Sequence, residues 1–378
     1  MKKILILCFS NLERDPRVYR QIIALKDDFK VVAAGCAHPK VDGVDFVALK
    51  SGSPSFFQKI YGALLRACHL DKKYYWSHFF IQDAYTQLSC LECDLILAND
   101  LDTLPLAVRL AQEKKVKLIY DAHEYAPREF ESSFKWRILW QQYKTRLCRD
   151  YLPKVDAMIT VCQGIADEYK RQFRVKSVLV FNAPAYENLE PLEVKSKIRL
   201  IHHGAAIRER NIESMIDLMK ELDDRFELNL MLVPSDKCYF SELQKKCFQN
   251  PKIKWLEPVK MPDISKKINQ FDIGLYLLND VGFNARFSLP NKFFEFIQAR
   301  LMLAIGPSIE MARLVRENDL GIVSKNFSFT EMAKMLNTLS LEEILRYKKN
   351  SHIAAKKLSF EASQALLFQL VSHVLESK

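Results

Sequence analysis

FSLPNKFFEFIQARLMLAIG, Phe287 to Gly306, reads as a loop, a helix and a buried strand in direct succession. Pro290 suits the first turn of a helix, where its missing N–H is not needed. Phe293, Phe294 and Ile297 make an apolar stripe at helical spacing, with Lys292 and Glu295 off that stripe. Just upstream, Asp272–Leu278 (DIGLYLL) predicts a short strand. A strand feeding a helix start presents unpaired backbone N–H groups, which favour an anion. Lys292 adds positive charge there, and Glu295, one turn on, offers an acceptor for hydroxyls. Phosphate beside a diol is the chemistry of a nucleotide sugar. The plainer reading is an ordinary helix start with a charged first turn.

The same strand–helix alternation extends back through the chain. Strands are expected at Lys2–Cys8, Lys30–Ala34, Asp45–Leu49, Asp94–Ala98, Lys117–Tyr120, Ala157–Val161 and Ser177–Phe181. Between them lie the helices Pro16–Leu25, Thr103–Lys114, Lys135–Arg149 and Ile165–Phe173, and two helices within Ser53–Ser89. Asn182–Lys197 (NAPAYENLEPLEVKSK) has no apolar periodicity and marks a boundary. Alternation resumes with the strand Ile198–His202. The reading gives a domain at 1–184, a second at 198–353, and a closing helix at 354–378 (Ala354–Leu375) that packs on both. Alternation of this kind means parallel sheets with covered faces. Two doubly wound α/β domains would carry their sites at the carboxyl ends of both sheets, on a shared cleft. Asn99–Asp102, Asp121–Glu124, HHGAAIRERN and the opening stretch all fall there.

Composition sets limits. Lys+Arg 56 against Asp+Glu 46 gives a formal charge of +10, which suits an anionic ligand, nucleic acid or membrane surface. The MKKILILCFS start resembles a signal peptide, but its apolar core is short and reads better as a first buried strand. No apolar run approaches a membrane span. Nine scattered cysteines favour reduced thiols and a cytoplasmic setting. Cys90 and Cys93 form one CxxC without a second pair, which argues against zinc.

ANDLDTLPLA, LIYDAHE, ITVCQGIADEY, FNAP and SLPNKFFEFI, in that order, resemble family 4 glycosyltransferases, most of all their bacterial surface-polysaccharide branch. The likeness spans Met1 to Ser324. It implies the GT-B fold: two Rossmann-like domains facing a central cleft. It also implies a retaining, metal-independent transferase that needs no cofactor beyond its nucleoside-diphosphate sugar. The donor would belong to the second domain, and a glycan or lipid-linked acceptor to the first. Within that resemblance, Glu295 matches the glutamate that holds the ribose hydroxyls, Arg210 the basic residue on the diphosphate, and His123 a histidine facing the donor sugar. Gly204 matches the strand-end glycine. The family's second glutamate is Phe287 here, and the basic residue after the glycine is Ala205, with Arg208 the nearest substitute. SNLERDPR stands in place of a glycine-rich first loop. Asn291 or backbone N–H groups would then take over the donor-sugar contact.

The candidate site thus comprises His123, Arg210 and Glu295 as catalytic residues. Gly204, Arg208, Asn291 and Lys292 join them for the donor, with Asp100 and Asp121 on the acceptor side and no metal ligands. Asp102 or Thr103 is expected to cap the helix that follows. His202 and His203 are given no role. The basic, aromatic helices Lys59–Phe80 and Lys135–Arg149 admit three readings: solvated domain helices, docking on an anionic membrane at its inner face, or nucleic-acid binding. The last lacks any recognition module. Two other functions fit the scaffold, a nucleotide-sugar 2-epimerase and a non-catalytic nucleotide-sugar-binding partner. A requirement for an acceptor would separate them from a transferase.

Overall fold

A computed structural model describes residues 1–52, 55–277 and 282–377. The chain forms two compact units, one of Met1–Val180, Gly282–Asn284 and Gln364–Lys378, the other of Phe181–Val281 and Ala285–Ser363.

In the first unit, β1 (Lys3–Leu7), β2 (Lys30–Gly35), β3 (Asp45–Ala48), β4 (Leu95–Asn99), β5 (Lys117–Ala122), β6 (Ala157–Thr160) and β7 (Val178–Leu179) form one sheet. Their order is β3-β2-β1-β4-β5-β6-β7. Every pairing is parallel. Helices cover both faces of such a sheet, so its central strands are apolar throughout: Ile4–Leu7 and Leu95–Ala98 are buried. Chain order reverses between β1 and β4, which opens a crevice at their carboxyl ends.

The second unit repeats the plan with β8 (Ile198–Ala206), β9 (Phe226–Pro234), β10 (Ile253–Trp255), β11 (Ile273–Tyr276), β12 (Met302–Ile305) and β13 (Gly321–Val323). Their order is β10-β9-β8-β11-β12-β13, and the switch falls between β8 and β11. Leu278, the end of the expected DIGLYLL strand, lies outside the described residues, as do Ser53 and Pro54.

Three local expectations are corrected. The segment read as two helices holds three, Phe56–Ala67, Asp71–Trp76 and Phe79–Ser89. His69, at φ 58°, turns the chain out of the first of them. The single closing helix is two, Leu341–Lys357 and Phe360–Glu376. Leu358 leaves helical geometry, and Ser359 Oγ accepts from Ala362 N at 3.4 Å to start the second. From Gln364 on, that last helix belongs to the first unit, where Gln364 Nε2 donates to Ala24 O at 3.4 Å and Phe368 packs on Phe29.

The segment after Phe181 has no regular structure, yet it is held. Arg300, itself in a left-handed conformation at φ 60°, is fully buried. Its Nε donates to Leu189 O at 3.0 Å and its Nη2 to Glu187 O. Gln298 Oε1 accepts from Glu187 N at 3.2 Å, and Asn269 Nδ2 donates to Glu190 O at 3.0 Å. The backbone polar groups of an irregular segment need partners, and here the second unit supplies them.

Candidate functional site

In the second unit the site is built where β8 and β11 diverge. β8 runs on to Ala206, so His202 and His203, expected at its end, lie inside it and are buried. His202 Nδ1 meets Leu275 O at 2.9 Å, and burial, with Lys292 nearby, holds both imidazoles well below their usual pKa. Gly204 follows with φ 122°, a conformation that side chains resist. The space is tight as well. A Cβ at this position would stand 3.1 Å from Lys292 Nζ and 3.4 Å from Arg210 Nη1. The two cations therefore converge on bare backbone.

The helix Asn291–Gln298 is buried on every side rather than along one stripe, so Lys292 and Glu295 are interior residues too. Pro290 sits at the cap position, φ −70° and ψ 152°, rather than in the first turn, and no side chain caps the helix. Phe293 N–H turns back to Pro290 O at 2.9 Å, so the helix start offers its dipole rather than a full set of donors. Lys292 is 5% exposed, its Nζ makes no hydrogen bond, and it lies 4.7 Å over the Tyr276 ring. Burial, and then Arg210, push its pKa well below the usual lysine range, with Glu295 opposing. Arg210 is tied by Nη1 to Ala205 O at 3.1 Å. Glu295 Oε2 stands 3.4 Å from His203 Nε2. Since burial keeps His203 neutral, this is a carboxylate beside an imidazole, not an ion pair. Two basic side chains and a helix start without a side-chain cap, facing a glycine, have the chemistry to take an anion.

Not every expected residue joins this group. Arg208 is exposed and engaged elsewhere, with Glu242 at 2.8 Å and Asp236 at 3.6 Å. Asn291 is half-buried at the first helical position, and Phe287 is half-buried in the loop before it.

In the first unit, β1, β4 and β5 bring a different cluster together. Asp121, expected just past a strand, is inside β5 and 3% exposed. Burial raises its carboxyl to about 6, although Arg17 opposes this. Arg17 Nη2 meets Asp100 Oδ2 at 2.8 Å, and Nη1 lies 3.9 Å from Asp121 Oδ2. Burial works against the charge on Arg17, but Asp121 and Asp100 outweigh it and raise the pKa further. Gln21 Nε2 donates to Asp121, and Asp15 caps the helix Pro16–Leu25. Asp100 leaves β4 at φ 65°, and its side chain remains 48% exposed. His123 is half-buried nearby, and burial, with Arg17, brings it down to about 4. Thr103 occupies the cap position but does not cap. Its hydroxyl donates back to Asn99 O and Asp100 O at 2.8 and 2.9 Å, which fixes the turn. Burial lifts the Cys8 thiol to about 12, so this cysteine beside Asp100 is no nucleophile.

Arg17, Gln21 and Asp15 were not singled out from the sequence. The available signal was a polar pair at i and i+4, Arg17 and Gln21, in a helix otherwise read by Val18, Ile22 and Leu25. Among the described residues, no group of three His, Cys, Asp or Glu is placed to hold a metal ion. All nine cysteines are free.

Two parallel, doubly wound units with sites at their sheet switch points define the GT-B architecture, and known structures share it. HepE from Anabaena, in complex with UDP-glucose, matches with TM-score 0.70 at 12% identity, covering 99% of this chain and 100% of its own. The trehalose 6-phosphate synthase of Burkholderia multivorans gives 0.68 at 11%, covering 98% and 99%. WaaG, a glycosyltransferase involved in lipopolysaccharide biosynthesis, gives 0.64 at 11%, covering 96% and 99%. At such identities the likeness is one of fold. In sequence, residues 26–183 match the model for Glycosyltransferase Family 4. No curated protein matches the chain significantly. The chain thus has the GT-B fold, and its first unit carries a match to a glycosyltransferase family.

Proposed function

We propose that this chain is a retaining transferase that moves a sugar from a nucleoside-diphosphate donor to a glycan or lipid-linked acceptor in bacterial surface-polysaccharide assembly. The observation that carries the donor assignment is the convergence of Lys292 Nζ and Arg210 Nη1 over Gly204, at an uncapped helix start. Departure of the sugar leaves growing negative charge on the diphosphate. Preorganised cations and N–H donors stabilise that charge without reorganising. In this reading they do so without a metal or other cofactor, and Glu295 accepts from the ribose hydroxyls. Asp100, held by Arg17 and open to solvent, is assigned to the acceptor hydroxyl, and His123 to the transferred sugar. HepE is known with bound UDP and UDP-glucose, which favours a uridine donor here. WaaG acts in lipopolysaccharide biosynthesis, which favours a surface-glycan acceptor and work at the cytoplasmic face of a membrane. No helix among the described residues is long and apolar enough to cross one.

The test is kinetic. Arg210→Ala should lower kcat more than donor affinity, because charge on the diphosphate grows toward the transition state. An effect on KM alone would reduce Arg210 to ground-state binding. Release of sugar without any acceptor requirement would turn the reading toward an epimerase or hydrolase. Product of inverted anomeric configuration by NMR would refute retention.

A further inference from the structure

A groove of about 550 Å³ lies on the first unit, remote in sequence from the cluster around Arg17. The helix Phe56–Ala67, the helices Asp71–Trp76 and Phe79–Ser89, and the helical stretch around Lys135–Trp140 form its walls. Its lining combines Lys59, Arg66 and Lys135 with Tyr61, Leu139 and Trp140. Arg66 is the unusual member. Its guanidinium lies 4.5 Å over Tyr74 and 4.0 Å over Trp140, it is 9% exposed, and its Nε has no hydrogen-bond partner. Asp71, the nearby carboxylate, is taken by Arg146 at 2.9 Å. Among the described residues, none of the three cations has a carboxylate within ion-pair distance.

The rim is apolar and bare. Phe56, Phe57, Ile60, Tyr61 and Leu64 recur on one helix face and are all exposed, Phe57 by 81%. Phe134 and Ile138 are exposed by 69% and 63% on the facing helix. Aromatic and aliphatic side chains left in water in such number mark an interaction surface. Lys144, grouped by sequence with the basic residues here, is turned inward to Glu129 at 2.7 Å and takes no part. The groove also abuts the acceptor-side turn. Tyr75, next to the groove-lining Tyr74, donates its hydroxyl to Asp102 O at 2.8 Å, two residues past Asp100.

A ligand that satisfies this surface is anionic at one end and hydrocarbon at the other. We propose that the groove binds a lipid phosphate, with its phosphate against Arg66, Lys59 and Lys135 and its first hydrocarbon units against Tyr61, Leu139 and the exposed rim. Resting on the transferase reading, this makes the acceptor a lipid-linked one, held by its carrier end.

Dodecyl phosphate, below its micellar concentration, is the probe, and calorimetry on the full chain is the readout. Saturable binding is expected, weakened roughly fivefold for each charge removed in Lys59→Gln and Lys135→Gln. Both residues are exposed, so an unchanged Tm will show that the fold is intact. Equal binding of dodecyl maltoside would overturn the phosphate half of the proposal, and equal binding of inorganic phosphate the lipid half. No binding, or binding indifferent to both substitutions, would overturn it altogether. UDP-glucose binding by the parent protein is measured in parallel. Its absence alongside intact dodecyl phosphate binding would count against the transferase reading and leave the groove standing.

Discussion

Each unit gathers buried positive charge at the carboxyl end of its sheet, but the two treat it in opposite ways. Around Arg17 the first unit supplies Asp100, Asp121 and Asp15, so the cation is neutralised from within. Around Lys292, among the described residues, the second unit sets Glu295 against a second cation, Arg210, and Lys292 Nζ stays without a hydrogen bond. An isolated buried charge is expensive unless something compensates it. The first cluster is therefore complete in itself and, in the proposed reading, suits a neutral, hydroxyl-bearing partner. The second, in that reading, is completed by an anion.

The largest effect expected from this contrast is on stability. Arg17→Met strands Asp121 in the interior, and breaking a buried pair by removing one partner costs about 3–5 kcal/mol. The lower end applies, since Asp100 is half-exposed. Lys292→Met removes a buried amine with no hydrogen bond to lose, and should leave stability unchanged or raised. Equal destabilisation of the two variants in urea would erase the distinction.

Next in size is the donor. Losing Lys292 should weaken UDP binding by about 1.5–3 kcal/mol, the range for hydrogen bonds to charged groups. In the parent, the depressed lysine pKa should recover as phosphate binds, so binding takes up a proton. Affinity should then fall as pH rises above about 7, where the phosphate is already ionised. Calorimetry in buffers of different ionisation heat would show the uptake, and its persistence in Lys292→Met would assign it to another group.

The smallest effect concerns two groups of the first unit that oppose each other. His123, brought from 6.5 to about 4 by burial, stays neutral in the fold while the unfolded chain takes up a proton, so its contribution is lost as pH falls through that window. Asp121, raised by burial from 3.8 to about 6, keeps a proton that the unfolded chain releases, so its contribution grows as pH falls. Relative to the parent, His123→Gln should gain stability between pH 6.5 and 4, and Asp121→Asn should lose it. Denaturation midpoints across that range decide the matter; parallel curves for all three proteins would contradict both assignments.

Much of this was legible in the sequence because it is local. Strand–helix alternation pointed to two wound sheets, and a glycine, a lysine and a glutamate read near strand ends do gather in one cluster of the second unit. The first unit's cluster was harder to see. Arg17 and Gln21 sit on a helix whose apolar stripe accounts for its own packing, and only the sheet order shows that they meet Asp100 and Asp121, far along the chain. Burial escaped for a related reason. The pattern of Asn291–Gln298 shows one apolar stripe, but neighbours enclose the whole helix, and no periodicity within eight residues reports that. Helix breaks at His69 and Leu358 depend on single backbone angles that apolar spacing does not encode.

Arg300 carries a consequence for anyone who would graft donor specificity between relatives. The glutamate-rich stretch after Phe181 is proline-punctuated and looks like a natural place to cut. Yet carbonyls at Glu187 and Leu189 are among those the buried guanidinium bonds to. A splice at its far end, near Lys197, would leave Arg300 facing a foreign strap and cost a fully enclosed cation the carbonyl acceptors of its Nε and Nη2, with only those of Nη1 at Ile297 and Gln298 retained. A splice before Phe181 moves the strap and its clasp as one piece.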